Sequence, residues 1–483
     1  MKKIAILITA VIFASCSADL ENLNENIKDP LSVPGESLFT GAQKSLVDQV
    51  VDLNVNNNNT KLWAQFLQET TYTDESNYDQ VTRTIPERHW SVLYKDVLKD
   101  LDEAKKVIAE TTYPTPEEEE LKPNKLVVIE ILNVYAYSIL VETFGDVPYT
   151  EALDIDNLLP AYDDGETVYK DLIARLTTAI GALDENKGSF GSGDRIYGGD
   201  VAKWKLFAAS LKLRMGMLLS DVDPAFAKTT VESAVSTGVF TSNADNATYT
   251  YLGSDPNTNP IHANLVLSGR KDFVAATTII DIMNDLDDPR RSLYFLPTDD
   301  GTYKGGNIGE TSSYSAYSHV SAQIEEATFP GVILDYAEVQ FLLAEARARL
   351  FDVGGTVKEH YDAAITASII DWGGTDADAI TYLATPAVNY DLAILASIAG
   401  TPWKDIIGTQ KWIALYNRGL EAWTSIRLLD YPIMAIPDDA VSGYPNRYTY
   451  PIIEQTLNGA NYTSAASAIG SDEAETKLFW DLN

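Results

Sequence analysis

Apolar positions recur at helical spacing along most of the chain. From Gly165 they fall at Val168, Tyr169, Leu172, Ile173, Leu176, Ile180 and Leu183, one stripe of an amphipathic helix. Asp200 stands where an N-cap belongs, ahead of Trp204, Phe207, Ala208, Leu211, Met215 and Leu218. Asp335 with Glu338 reads as an Asp-type capping box opening Tyr336, Val339, Leu342, Leu343, Ala346 and Leu350. From Thr409 the stripe is Trp412, Ile413, Tyr416, Leu420, Trp423 and Ile426, with Trp204, Trp412 and Trp423 expected in the core. Further helices are expected over 38–52, 60–70, 91–110, 125–143, 225–236, 272–285 and 357–371.

These helices group as hairpins: 91–110 with 125–143, 165–184 with 200–220, 335–351 with 357–371, and a segment near 389–399 with 405–428. The first two hairpins start roughly seventy residues apart, twice a tetratricopeptide period. Small residues recur at Ala136, Ala208, Ala346 and Ala364. Spacing alone leaves two readings open, a helical-repeat scaffold or plain helix pairs packed through small faces. Between the helices lie long irregular stretches, 238–271, 297–332 and 430–471, rich in Gly, Ser, Asn, Pro and Tyr. Loops this long in a folded chain are functional or disordered, and their aromatic content argues against disorder.

Composition narrows the chemistry. There are 36 Lys+Arg against 70 Asp+Glu, a net charge of −34. That excludes nucleic acid, whose phosphates need clustered cations, and peripheral docking on anionic lipid. There is one cysteine. Met1-Lys2-Lys3, an apolar run from Ile4 to Ala14 and then Ser15-Cys16 have the layout of an export signal cut before a lipidated cysteine. The expected order is a signal peptide over 1–15, a lipid anchor on Cys16, a polar tether over 16–37 free to swing, and one helical domain over 38–483. No later stretch is expected to span a membrane. Acids close behind Cys16 (Asp19, Glu21) point to the outer cell surface.

No catalytic motif is present: no GxSxG, HExxH, P-loop, GxGxxG after a strand, or CxxC. His89, His262, His319 and His360 are too far apart to suggest metal ligation. Asp299-Asp300-Gly301 and Asp285-Leu286-Asp287-Asp288 could contribute to a structural Ca²⁺ site, but neither has EF-hand spacing, and solvated turn acids is the simpler reading. With 70 acids, a carboxylate pair at glycosidase separation carries no information, so a glycoside hydrolase is the weakest alternative. What remains is an aromatic and amide set on loops: Tyr72, Asn77 and Tyr78; His262 and Asn264; Tyr303, Tyr314 and Tyr317. Flat rings stack on sugar rings or planar side chains, and amides and imidazoles read hydroxyls. These eight are the candidate ligand-binding residues, with no cofactor expected.

The chain also resembles the SusD/RagB family of nutrient-binding outer-membrane lipoproteins, in particular its shorter SusD-like branch. The resemblance rests on Phe144-Gly145-Asp146-Val147-Pro148-Tyr149-Thr150-Glu151-Ala152, Tyr197-Gly198-Gly199-Asp200 leading into Trp204, and Leu211-Lys212-Leu213-Arg214-Met215. It continues through Glu338 to Ala346, Gln410 to Tyr416, Glu421-Ala422-Trp423, Arg447-Tyr448-Thr449-Tyr450-Pro451 and Lys477 to Asp481. Gly145 and Pro148 read as a helix stop. Arg214 and Arg427, on apolar helices, are expected to pair with acids such as Glu338 or Glu345. The resemblance implies a mostly α fold, a right-handed α-α superhelix of tetratricopeptide-like pairs packed against a loop-rich part, and no enzymatic activity. It also implies a SusC-like TonB-dependent transporter as partner, over which the lipoprotein sits as a lid, and a glycan as ligand, or a peptide in RagB-like members. It supplies no binding motif to carry over.

Overall fold

The computed structural model describes residues 33–482. Cys16, the signal segment and most of the tether lie outside them; within them the first helix, Gly35–Val51, already begins inside the expected 16–37 tether. The fold is mostly helical and tetratricopeptide-like, as the sequence led one to expect. Gly35–Val51 packs on Lys99–Glu110, which packs on Lys122–Phe144. Gly165–Ala182, Val201–Leu218 and Pro224–Thr237 follow as successive neighbours. Tyr336–Ala348 pairs with Val357–Asp371, and Pro402–Ala414 with Gly419–Leu429. Asp200 caps its helix by accepting from the Lys203 N–H, and the helix ahead of Gly145 stops there, at φ +88°, where a side chain is strained.

Several expectations are corrected. The 405–428 stripe is two helices, broken at Leu415–Arg418, where Asn417 turns left-handed at φ +66°. Gly419 then seats against the Lys61 and Thr60 backbone, too close for any Cβ. The 60–70 segment is a short helix, Thr60–Trp63, followed by a strand, Leu67–Glu69, which pairs antiparallel with Phe273–Ala275. That second strand occupies the start of the expected 272–285 helix, leaving Thr277–Asp285 helical. Asp335 does cap the Glu338 N–H, but the Glu338 side chain does not return to complete a box; it is taken by arginines. Among the described residues one run, Pro116–Phe144, is long and apolar enough to cross a membrane by length and composition, where none was expected. Its window is 83% buried inside the protein, the setting of a core helix.

The core lies in three clusters. The largest joins the N-terminal helices to Trp423, Tyr448 and Trp480; a second surrounds Phe66, Tyr294 and Trp412; a third lies under Phe341, Tyr361 and Ile407. Trp204, Trp412 and Trp423 are fully buried. The loop-rich C-terminal part is fastened to the helices by polar contacts: Arg447 donates to the Phe144 carbonyl at 3.0 Å and pairs with Asp472 at 2.6 Å. The Tyr448 N–H reaches the Thr143 carbonyl at 2.8 Å. Those bonds occupy the carbonyls that the helix end at Gly145 leaves unpaired.

Arg214 forks onto both Glu338 oxygens at 2.7 Å, and Arg418 shares that carboxylate and reaches Asp335 at 3.0 Å. Burial pushes Glu338 up, but the two guanidiniums prevail and hold it down at about 2. Arg427 is a correction. Among the described residues it meets no acid within ion-pair distance; it donates to the carbonyls of Glu142 (3.0 Å) and Asn446 (2.8 Å) and lies 3.6 Å from the Trp423 ring and 4.7 Å from that of Trp480. Burial drives it down to about 10.

Candidate functional site

The turn after the first helix is built by one acid and one lysine. The Asp52 carboxylate accepts from the N–H groups of Leu53 (2.7 Å) and Asn54 (2.9 Å) and from the Asn57 amide (2.6 Å). The buried Lys61 ammonium donates to the carbonyls of Val51 and Asp52, the latter at 2.9 Å, completing a helix C-terminus with a cation. Burial lowers Lys61 to about 8. So held, the turn presents Asn54, Val55 and Asn56 as one wall of a cleft of about 200 Å³.

The opposite wall is the 69–83 segment, tied from beneath. Glu69 accepts from the Ser76 N–H (3.0 Å) and hydroxyl (2.9 Å). Asn77 donates to the carbonyls of Thr73 and Gly309, both at 2.9 Å, and the Tyr78 hydroxyl to that of Ala435 at 3.1 Å. This anchoring leaves Tyr72 69% exposed on the cleft rim in a left-handed backbone, φ +57°. Such a conformation is costly for an aromatic residue and persists where the surroundings over-determine it. Asn264, Arg270, Asp272 and Phe273 close the floor and far side, with Arg270 paired to Asp272. Glu69 also lines the cleft. Burial first, and then the adjoining Glu75 carboxyl, push it well above the usual carboxylate range, so the pair retains a proton; Arg83 pairs with Glu75.

Of the eight sequence candidates, the structure brings Tyr72 and Asn264 into this cleft. The Asn264 amide is fixed there by Asp52 at 2.7 Å. Tyr314 stands beside it, its ring 4.3 Å from that of His319 and 5.0 Å from the Lys271 ammonium. His262 is half-buried nearby, Nδ1 2.7 Å from the Glu325 carbonyl. Three do not fit. Tyr78 is 1% exposed and Asn77 is buried with its amide committed, so both are supports of the loop. Tyr303 packs on the second core cluster under the Arg291 guanidinium. Tyr317 is half-buried and takes no part in the cleft lining. Sequence reading missed Asn54, Asn56, Glu69, Arg83, Arg270 and Asp272; the asparagine run 54–59 was the one local signal available.

A larger cleft, about 460 Å³, lies on the helical side between Lys99–Glu110, Lys122–Phe144, Gly165–Ala182 and the 149–155 loop. Its charges answer one another: Glu130 takes Arg175 at 2.6 Å and Lys105 at 2.9 Å, Lys106 pairs with Asp102 at 2.7 Å, and Arg175 donates to the Tyr149 hydroxyl at 2.7 Å. Among the described residues no three of His, Cys, Asp and Glu converge to hold a metal ion. Asp288 is buried against Arg290 and Asp300 is bound to Thr302 and Lys304 within its own turn.

A family model described as "Starch-binding associating with outer membrane", SusD-like, matches residues 26–451. Among solved structures, a chitin-binding protein superposes with TM-score 0.80 at 25% identity, over 93% of this chain and 100% of its own. A SusD homolog from Bacteroides uniformis gives 0.78 at 27%, over 92% and 99%. A chitin-binding SusD homolog from Flavobacterium johnsoniae gives 0.78 at 24%, over 92% and 99%, a likeness of fold. No curated protein matches the chain in sequence.

Proposed function

The chain belongs to the SusD-like family, and from that premise we propose that it is a non-catalytic, outer-membrane glycan-capture protein that holds an oligosaccharide at the Tyr72 cleft. The observation that carries the reading is Tyr72 itself, an exposed ring held in a left-handed backbone at the rim of a cleft lined with amides. A ring face offers a sugar its apolar side, while Asn54, Asn56 and Asn264 offer donors and acceptors for its hydroxyls. The chitin-binding neighbours make N-acetylglucosamine oligomers the first glycans to try. In this reading Cys16 carries the lipid, and the captured glycan passes to a SusC-like TonB-dependent barrel beneath the protein.

One feature favours a second ligand class. The net charge of −34 suits a basic peptide of the RagB-like kind. A screen of the purified protein against chito-oligosaccharides, malto-oligosaccharides and basic peptides decides between them. Saturable glycan binding supports the proposal; binding of peptides alone replaces it with the peptide reading. Co-purification with an outer-membrane barrel tests the delivery step, and its failure from native membranes would remove that step.

A further inference from the structure

Beside the Tyr72 cleft is a second, smaller recess of about 80 Å³, lined by Val51, Gln323, Phe329, Asp371, Trp372 and Arg418 among others. Its walls are aromatic. Trp372 is half-buried, 5.9 Å from Phe329 and 5.6 Å from the buried Tyr416 between ring centroids. Its floor is polar: Arg418 is 5% exposed and its two terminal nitrogens serve Asp335 and Glu338. Asn417 beside it holds the left-handed φ of +66° and, like Tyr72, puts an adaptable side chain on the lining from a strained backbone. Asp371, which takes one amide hydrogen from Asn246 at 3.1 Å, supplies an acceptor at the mouth.

The two recesses adjoin. Val51 lines one and Asn54 the other, and three residues of chain reach at most about 11 Å. The ridge between them is the 259–264 segment. Asn259 donates to the Phe329 carbonyl at 2.8 Å, His262 meets Glu325 on the same strand of chain as Gln323, and Asn264 bonds Asp52.

We propose that the Trp372 recess is a second saccharide subsite, so that one oligosaccharide bridges it and the Tyr72 cleft across the His262 ridge. The inference rests on the glycan reading above. A pyranose suits this lining because its apolar face meets Trp372 and Phe329 while its hydroxyls donate to Asp371 and its hydroxyl or acetamido oxygen accepts from the Asn417 amide. Two linked subsites make affinity climb with chain length, since the second contact forms at high effective concentration.

The test is titration calorimetry with chito-oligosaccharides from the disaccharide to the hexasaccharide, on wild type, Trp372→Ala, Asn417→Gly and Tyr72→Ala. Asn417→Gly removes the amide and keeps the left-handed turn, so it remains informative if Trp372→Ala unfolds through loss of its contact with Tyr294. The proposal expects wild-type affinity to rise about tenfold or more from disaccharide to hexasaccharide, and both recess variants to flatten that rise while disaccharide binding at the Tyr72 cleft persists. A full length-dependent rise in both variants, with Tyr72→Ala still binding-deficient, overturns the second subsite and leaves the glycan reading standing. Absence of wild-type binding to the whole series overturns both for this glycan class.

Discussion

The molecule has two clefts of opposite character. The one on the helical side has more than twice the volume, yet its polar groups are spent on one another: Glu130 on Arg175 and Lys105, Asp102 on Lys106. Against the push of burial, those cations hold Glu130 below its ordinary value, as expected of a structural tie. The smaller cleft is tied too, Arg270 to Asp272 and Asn264 to Asp52, with further ties behind its wall in Lys61, Ser76 and Asn77, but it alone of the two carries a ring, Tyr72, that is 69% exposed beside amides. Volume marks where helices diverge; an exposed ring beside amides marks where a ligand gains something by arriving.

That contrast is open to attack, most strongly at Lys61. Lys61→Met leaves the Val51 and Asp52 carbonyls without their buried donor and should cost about 2 kcal/mol in urea unfolding. It should also abolish cleft binding, because the Asn54–Asn56 wall depends on that turn. A variant that unfolds earlier but binds normally would show that the wall is set by Asp52 alone. Next comes Arg175→Met in the larger cleft. It breaks the Glu130 and Tyr149 ties and should cost roughly 1 kcal/mol in the same assay with glycan affinity unchanged. A loss of affinity there would move the site to the helical side.

The smallest effect is electrostatic. Glu69 is raised in the folded state by burial and by Glu75. The stability associated with its proton is therefore fully present below its ordinary value of 4.5 and is lost as pH rises toward the raised folded value. Glu69→Gln should flatten that decline, raising Tm by about 2 °C at mildly alkaline pH and leaving it unchanged near pH 4. A parallel shift at both pH values would mean that the carboxyl pair holds no proton.

Much of the scaffold was legible because long helices repeat their apolar positions over several turns, as Val168 to Ile180 do. The missed elements are short or end on a residue with no warning in its type. Leu67–Glu69 and Phe273–Ala275 are three residues each, strands only because they pair with each other across 200 residues of chain. The break at Asn417 has no proline, and its cause is Gly419 seating on Lys61, a tertiary contact. Arg427 looked like an ion-pair partner because its neighbours in sequence are apolar. Its actual surroundings, carbonyls and Trp480, come from other parts of the chain. The site divides the same way. Tyr72 could be picked out because it stands in a polar run, Thr71 to Asn77, with few apolar residues around it. Arg83, Arg270 and Asp272 meet it only after folding, while Tyr78, six residues on, turns inward to Ala435.

The most direct test of the account is a side-by-side titration of chitohexaose into wild type, Tyr72→Ala and Lys105→Ala, one variant for each cleft. The account predicts a loss of about tenfold or more for Tyr72→Ala, near 1.4 kcal/mol, and less than about twofold for Lys105→Ala. The reverse ranking, with Lys105→Ala weakening binding and Tyr72→Ala leaving it intact, would contradict it.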